Sequence, residues 1–219
     1  MFTVTLRIWR TGNHYTNYTV EVPDGSYVID AMERVFALPD SDLVWRHACH
    51  HASCGSCGVR INSVEKLPCV TELSDYSPNQ PITLQPLAHL PRIADLVVDF
   101  DPFFTRMREV GMPIIRADES APSLDNKHDL RFENCIECGL CISACPAMAN
   151  PRFMGPAALA AAERLMEEPR GADLTRLLQR VDDTTGVWSC RSSYQCTAVC
   201  PTGADPAGAI IRLRHRLRN

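Results

Sequence analysis

The sequence predicts an α+β fold in two domains. Three observations carry that expectation: apolar and polar residues alternate with a period of two near the start, the second half turns helical, and 11 cysteines fall into tight groups in both parts. In order along the chain, Phe2, Val4, Leu6 and Ile8 alternate with Thr3, Thr5, Arg7 and Trp9, the pattern of a half-buried strand. Residues 15–22 can pair back on it across the turn Thr11-Gly12-Asn13. Pro23-Asp24-Gly25 makes another turn, and beyond it Val28, Ala31, Met32 and Val35 recur at helical spacing. A cysteine-bearing loop follows, with strand candidates at 58–62 and 82–87. Residues 116–129 are polar, contain Pro122, and read as a linker or exposed loop. Gly155-Pro156 opens a helix over 157–168 that Pro169 ends, and Asp205-Pro206 caps a last helix running to about Leu217. The expected domains are residues 1–105, β-rich, and 106–219, helical.

Composition narrows the class. Apolar residues make up 45% of the chain, enough for an ordinary core, and a net charge of -4 offers no basic field for nucleic acid. No run approaches the ~20 apolar residues that span a bilayer. The start lacks the charged and apolar regions of a signal peptide, so the chain reads as cytosolic or as a mature form. Membrane association would then come through a partner. Cysteines spaced by two or three residues, without a secretion signal, suit metal better than a disulfide scaffold.

The first group is Cys49, Cys54, Cys57 and Cys69, C-x4-C-x2-C-x11-C, and its first three match the plant-type spacing for a [2Fe–2S] cluster. Ser53, Gly55, Ser56 and Gly58 let this loop fold tightly and aim backbone N–H groups at sulfur. His47, His50 and His51 crowd the same loop; a Rieske arrangement is redundant when four cysteines complete the site, which leaves them as exposed loop residues or as groups that tune the potential.

The second group is Cys135, Cys138, Cys141 and Cys145, C-x2-C-x2-C-x3-C, followed by Pro146. The third is Cys190, Cys196 and Cys200, followed by Pro201, the same run with Ser193 where its second cysteine would stand. In two-cluster ferredoxins the fourth cysteine of each run serves the other cluster. That rule assigns Cys135, Cys138, Cys141 and Cys200 to a [4Fe–4S] cluster, and Cys145, Cys190 and Cys196 to a [3Fe–4S] cluster. Every cysteine is then used. Zinc sites usually pair two C-x2-C knuckles and explain neither the C-P endings nor the crossed triplets. Ser193 either ligates iron through oxygen or packs beside the cluster.

With these motifs in place the chain resembles the succinate dehydrogenase/fumarate reductase iron–sulfur subunit family over nearly its whole length. The resemblance is carried by Trp45 to Gly58 (WRHACHHASCGSCG), Cys69, Asp95-Leu96-Val97-Val98-Asp99, Cys135 to Pro146 (CIECGLCISACP), Asn150-Pro151, Phe153 and Gly155-Pro156-Ala157. It continues in Gly186-Val187-Trp188-Ser189-Cys190 and from Cys200-Pro201 through Asp205-Pro206 to Ala209-Ile210. GVWSC and NP-x-F-x-GPAA look closer to the fumarate reductases. The resemblance implies a plant-type ferredoxin-like (β-grasp) domain followed by a helical bacterial-ferredoxin-like domain. It implies an oxidoreductase subunit that relays single electrons between a flavoprotein partner, which binds FAD and the dicarboxylate, and a quinone (menaquinone or ubiquinone). The quinone would sit at membrane-anchor subunits with haem or quinone, on the cytoplasmic face of the cell membrane. This chain has no Gly-rich dinucleotide motif, consistent with FAD lying in the partner. Around the quinone it departs from the succinate dehydrogenases: Ala147, Met148 and Ala149 include no tryptophan, and Arg191 follows Cys190 where histidine is frequent. Arg191 and Arg214 are the implied residues of the quinone vicinity, whereas the bare reading of Arg212, Arg214, Arg216 and Arg218 is a solvated helix end favoured by the helix dipole. A soluble thiol-dependent fumarate reductase, or a free ferredoxin-like carrier, is the alternative use of the same cluster set.

Overall fold

The computed structural model describes residues 1–112, 134–166 and 174–218. Strand β1 (Phe2–Arg10) pairs antiparallel with β2 (His14–Val22), with Phe2 opposite Val22 and Arg10 opposite His14. The hairpin forms because Asn13 and Gly12 both take left-handed backbone angles, as a tight turn between twisted strands demands. The period-two pattern holds: Val4, Leu6 and Ile8 are buried, with Val20 and Val22 beside them. Helix α1 (Val28–Phe36) buries Val28, Ala31, Met32 and Val35 against this face, and Asp30 caps it by accepting from the Tyr27 N–H at 2.7 Å.

Short strands complete the sheet: β3 (Val59–Ile61), β4 (Val64–Lys66) and β5 (Ile82–Gln85). The order is β2-β1-β5-β3-β4, with β1 and β5 parallel and the other neighbours antiparallel. A five-stranded mixed sheet in this order with one helix across it matches the expected β-grasp. A separate two-stranded ribbon follows, β6 (Arg92–Ala94) with β7 (Val97–Val98).

The remaining described helices are α2 (Asp101–Glu109), α3 (Leu140–Ala144), α4 (Pro156–Met166), α5 (Leu174–Val181), α6 (Gln195–Ala198) and α7 (Pro206–Arg218). The expected helices at 157–168 and 206–217 are α4 and α7; Pro169, the expected terminator, and the linker at 116–129 lie outside the described residues. Sequence reading missed α2, α3, α5 and α6.

The chain packs as two units: Met1–Phe100 with Ile136–Ser143, and the remaining described residues. This differs from a single cut at 105/106, because part of the second cysteine run packs with the sheet. Gly55 and Gly139 show why. A Cβ on Gly55 (φ 69°) would meet the Ile136 carbonyl at 2.6 Å, and one on Gly139 (φ 75°) would meet the Phe100 ring at 3.0 Å. Ser143 fixes the segment by donating to buried Glu65 at 2.7 Å and accepting from the Ala88 N–H at 2.8 Å.

In the second unit α4 is buried along almost its whole length, and its alanines let α7 pack closely. Glu163 is the polar exception on α4, and Arg212 of α7 grips it from Nε at 2.8 Å.

One buried polar centre ties the first unit's hairpin to its ribbon. The Asp95 carboxylate accepts from the Thr11 N–H at 2.7 Å, the Thr11 hydroxyl at 3.0 Å and the Val44 N–H at 2.9 Å, and pairs with Arg10 Nε at 3.1 Å. Burial pushes its pKa up, but these donors outweigh burial and hold it below the usual carboxylate range. Because the folded-state pKa is depressed, this stabilisation is complete above the ordinary aspartate range and is lost as pH falls through the lowered value. Asp95→Asn should cost about 3 kcal/mol, since it leaves the Arg10 charge short of a partner. It should also flatten the acid limb of stability, both read from urea midpoints at pH 7 and at a pH below about 3. An unchanged acid limb would contradict this account.

Candidate metal centres

All 11 cysteines are free thiols, so no disulfide competes with metal. The first four are positioned by the sheet: Cys49, Cys54 and Cys57 lie on the loop between α1 and β3, and Cys69 lies in a short 3-10 turn (Pro68–Val70) after β4. Loop residues His50, Ala52 and Gly55 take left-handed angles, with φ of 62°, 57° and 69°. That path turns backbone N–H groups inward. His51, Ser53 and Cys54 donate to Cys49 Sγ at 3.5, 3.3 and 3.3 Å. Cys57 Sγ and Cys69 Sγ lie 3.6 Å apart and buried.

Electrostatics at this loop are divided. The Ser56 hydroxyl, 3.1 Å from Cys54 Sγ, pulls that thiol down to about 6. Burial, and then the neighbouring Cys69 and Cys54 charges, push Cys57 up to about 12. Four convergent sulfurs, with N–H donors already aimed at one of them, fit a thiolate-bound cationic centre. Such a centre would hold the buried Cys57 sulfur as a thiolate.

The ferredoxin-type runs share one backbone path. Two residues after the first cysteine, Glu137 and Ser192 have φ of 54° and 53°; four residues after it, Gly139 and Tyr194 have φ of 75° and 59°. A short helix follows in each, α3 and α6. Ser193 therefore occupies the backbone position of Cys138, and its side chain is exposed. Ser192 N–H donates to Cys190 Sγ at 3.4 Å, and Ala204 N–H to Cys200 Sγ at 3.2 Å, repeating the device of the first loop.

Within the second unit Cys145, Cys190 and Cys196 interact. Burial pushes Cys196 up to about 12, with Cys145 and Cys190 adding to it. Burial likewise raises Cys145, which Cys190 raises further and the Arg191 charge lowers. Three mutually repelling thiols in one place again fit a cationic iron centre. The set Cys135, Cys138, Cys141 and Cys200 rests on spacing.

Family models match the two halves: a 2Fe-2S iron–sulfur cluster binding domain over residues 5–105 and a 4Fe-4S dicluster domain over residues 131–204. The chain is 35% identical to the fumarate reductase iron–sulfur subunit of Haemophilus influenzae, covering 90% of this chain and 84% of that protein. It belongs to the iron–sulfur subunit family of the fumarate reductases and succinate dehydrogenases. It is also 31% identical to a mitochondrial succinate dehydrogenase iron–sulfur subunit of Arabidopsis thaliana, covering 88% of this chain and 65% of that one. A chain of the Mycobacterium smegmatis Sdh1 complex in the apo form superposes with a TM-score of 0.84 at 28% identity, covering 99% of this chain and 95% of that chain. As in this family's oxidoreductase complexes, the chain is a subunit, and none of its described helices is long and apolar enough to cross a membrane.

The arginines of α7 divide by partner: Arg212 and Arg218 are exposed, as a solvated helix end expects, but each also makes a contact, and Arg214 is half-buried. Arg212 holds buried Glu163. Arg218 lies over the Trp188 ring at 5.4 Å. Arg214 donates twice to the Val187 carbonyl, at 3.0 and 2.7 Å, to the Cys190 carbonyl, and to the Ser192 hydroxyl at 3.1 Å. Its guanidinium therefore clamps the Val187 and Cys190 carbonyls and the Ser192 side chain together, a role that needs its planar fork of donors. Sequence alone does not show this, because the partners are carbonyls 24 and 27 residues away. Arg214→Ala should free the Cys190 loop, lowering iron by about three per chain while sparing the [2Fe–2S] signal. Arg214→Lys should recover part of the loss. Normal iron in both variants, with only quinol turnover impaired, would make Arg214 a quinone residue instead.

Proposed function

We propose that this chain is the electron-relay subunit of a succinate dehydrogenase or fumarate reductase complex, and that its third site holds a [3Fe–4S] cluster. The observation that carries the cluster type is the shared backbone path of the two ferredoxin-type runs, with exposed Ser193 standing where Cys138 stands. The proposed ligands are Cys49, Cys54, Cys57 and Cys69 for [2Fe–2S]; Cys135, Cys138, Cys141 and Cys200 for [4Fe–4S]; and Cys145, Cys190 and Cys196 for [3Fe–4S]. These groups supply one-electron redox chemistry when bound. The chain's own residues place them, supply N–H donors to their thiolates, and bury the sulfurs of Cys57, Cys69, Cys145 and Cys196 from solvent.

In this reading an FAD-containing subunit binds the dicarboxylate, and a membrane-anchor subunit binds the quinone, with the chain on the cytoplasmic face of the membrane. Arg191 is the residue kept for the quinone vicinity: it is exposed beside Cys190 and its charge already acts on Cys145. Arg214 would act there through the Cys190 loop.

Anaerobic reconstitution should yield about nine irons per chain and, after oxidation, an EPR signal near g of about 2 from the three-thiolate site. Ser193→Cys should abolish that signal by completing a fourth thiolate and should lower the site's potential. Two four-iron clusters in the unmodified protein would overturn the assignment.

The relay itself is tested by purifying the chain from its native membranes. It should come with a flavin-containing subunit and exchange electrons between succinate or fumarate and a quinone. A complex that turns over only with a thiol donor would make it part of a soluble thiol-dependent fumarate reductase.

A further inference from the structure

The three histidines of the first cysteine loop have no part in the cysteine ligand sets, and two of them meet a carboxylate. His47 Nδ1 lies 2.9 Å from His50 Nε2. Glu33 Oε1, from α1, lies 3.3 Å from His50 Nε2 and 3.8 Å from His47 Nδ1. A point equidistant from these three atoms lies roughly 2 Å from each, the range of zinc–nitrogen and zinc–carboxylate bonds. We propose that Glu33, His47 and His50 form a binding site for one divalent transition-metal ion of the zinc type, distinct from the iron ligands of the same loop.

The local fold prepares each donor. Val28, Ala31, Met32 and Val35 face the core, which turns Glu33 of the same helix toward the cysteine loop. The Trp45 ring stacks on His47 with centroids 4.0 Å apart and planes 9° apart, so the imidazole plane is fixed before an ion arrives. His50 is aimed by its left-handed backbone, φ 62°. Two neutral imidazoles and one carboxylate are the donors that suit zinc, nickel and cobalt, whereas the clusters take thiolate. An ion on these three atoms would replace the hydrogen bond that now joins the rings. It would stay open to water, because all three side chains are a third or more exposed.

The test uses the full chain with its clusters in place. Equilibrium dialysis against Zn²⁺, with iron assayed in parallel, should show one zinc bound per chain at unchanged iron content. Glu33→Gln and His50→Ala, both at exposed side chains, should each weaken that binding by more than about tenfold. Ni²⁺ at the same site should shorten spin relaxation of the reduced [2Fe–2S] signal in the unmodified chain and not in His50→Ala. The proposal fails if no zinc binds beyond the iron, if bound zinc rises only as iron is lost, if the variants bind as tightly as the parent, or if Ni²⁺ leaves relaxation unchanged. Iron content reports on the clusters separately, so a failed zinc site does not disturb the relay reading.

Discussion

The constraint on which this structure rests is the gathering of several sulfur atoms, each wanting to be an anion, at points partly withdrawn from water. Burial and mutual repulsion both oppose it, as the thiols of Cys57 and Cys196 show. The chain answers locally by bending the backbone through left-handed angles at non-glycine residues: His50 and Ala52, Glu137, Ser192 and Tyr194. Each such residue costs on the order of 1–3 kcal/mol unless its surroundings hold it. The return is a set of N–H groups facing sulfur instead of solvent, at Cys49, Cys190 and Cys200. Strain of this kind persists only on a rigid frame, which is why regular elements bound the loops at both ends. The first loop runs from α1 to β3, and the third run leads into α7.

Both units reinforce that frame with buried carboxylates held by donors from distant segments. Asp95 draws together Thr11, Val44 and Arg10. Glu65 receives Ser143, and Glu163 receives Arg212. A carboxylate in an apolar interior is weak evidence of added stability over an apolar replacement, yet a misplaced partner leaves an expensive unpaired charge. Such pairs therefore penalise wrong registers more than they reward the right one. Apolar contacts alone would let α7 slide on the small-residue surface of α4, whereas Arg212 reaches Glu163 from one position.

Much of this was legible in the sequence because the signals were local. Alternation over nine residues fixed β1, the apolar spacing fixed α1, and cysteine spacing gave the groups that the structure brings together in the first loop and in the second unit. The misses have physical reasons. Strands β4, β6 and β7 have two or three residues, too few for any periodicity. Helix α2 did carry a signal, with Phe103 and Met107 buried at helical spacing, Val110 buried just past its end, and Pro102 in its first turn. The packing of Ile136–Ser143 with the sheet had only Gly55 and Gly139 as clues, and a glycine between cysteines reads equally well as a turn. Arg214 and the Glu33–His47–His50 group depend on residues joined only by the tertiary fold.

The same local logic explains how the sites can differ in charge while sharing a design. The two ferredoxin-type runs follow one path, so exchanging a thiol for the Ser193 hydroxyl removes a potential negative ligand without altering the backbone that presents it. Arg191 stands beside Cys190 and offsets thiolate charge at Cys145. Arg214, bonded to the Cys190 carbonyl, adds a second cation to the same loop. Fewer thiolates and more cations both favour the reduced form of whatever iron centre they surround, because net charge is among the main determinants of cluster potential. At the first loop the hydrogen bonds to sulfur come from neutral backbone and serine groups, and the carboxylate of Glu33 lies close by. Cationic side chains therefore stand beside the Cys145–Cys190–Cys196 group, whereas a carboxylate stands beside the first loop.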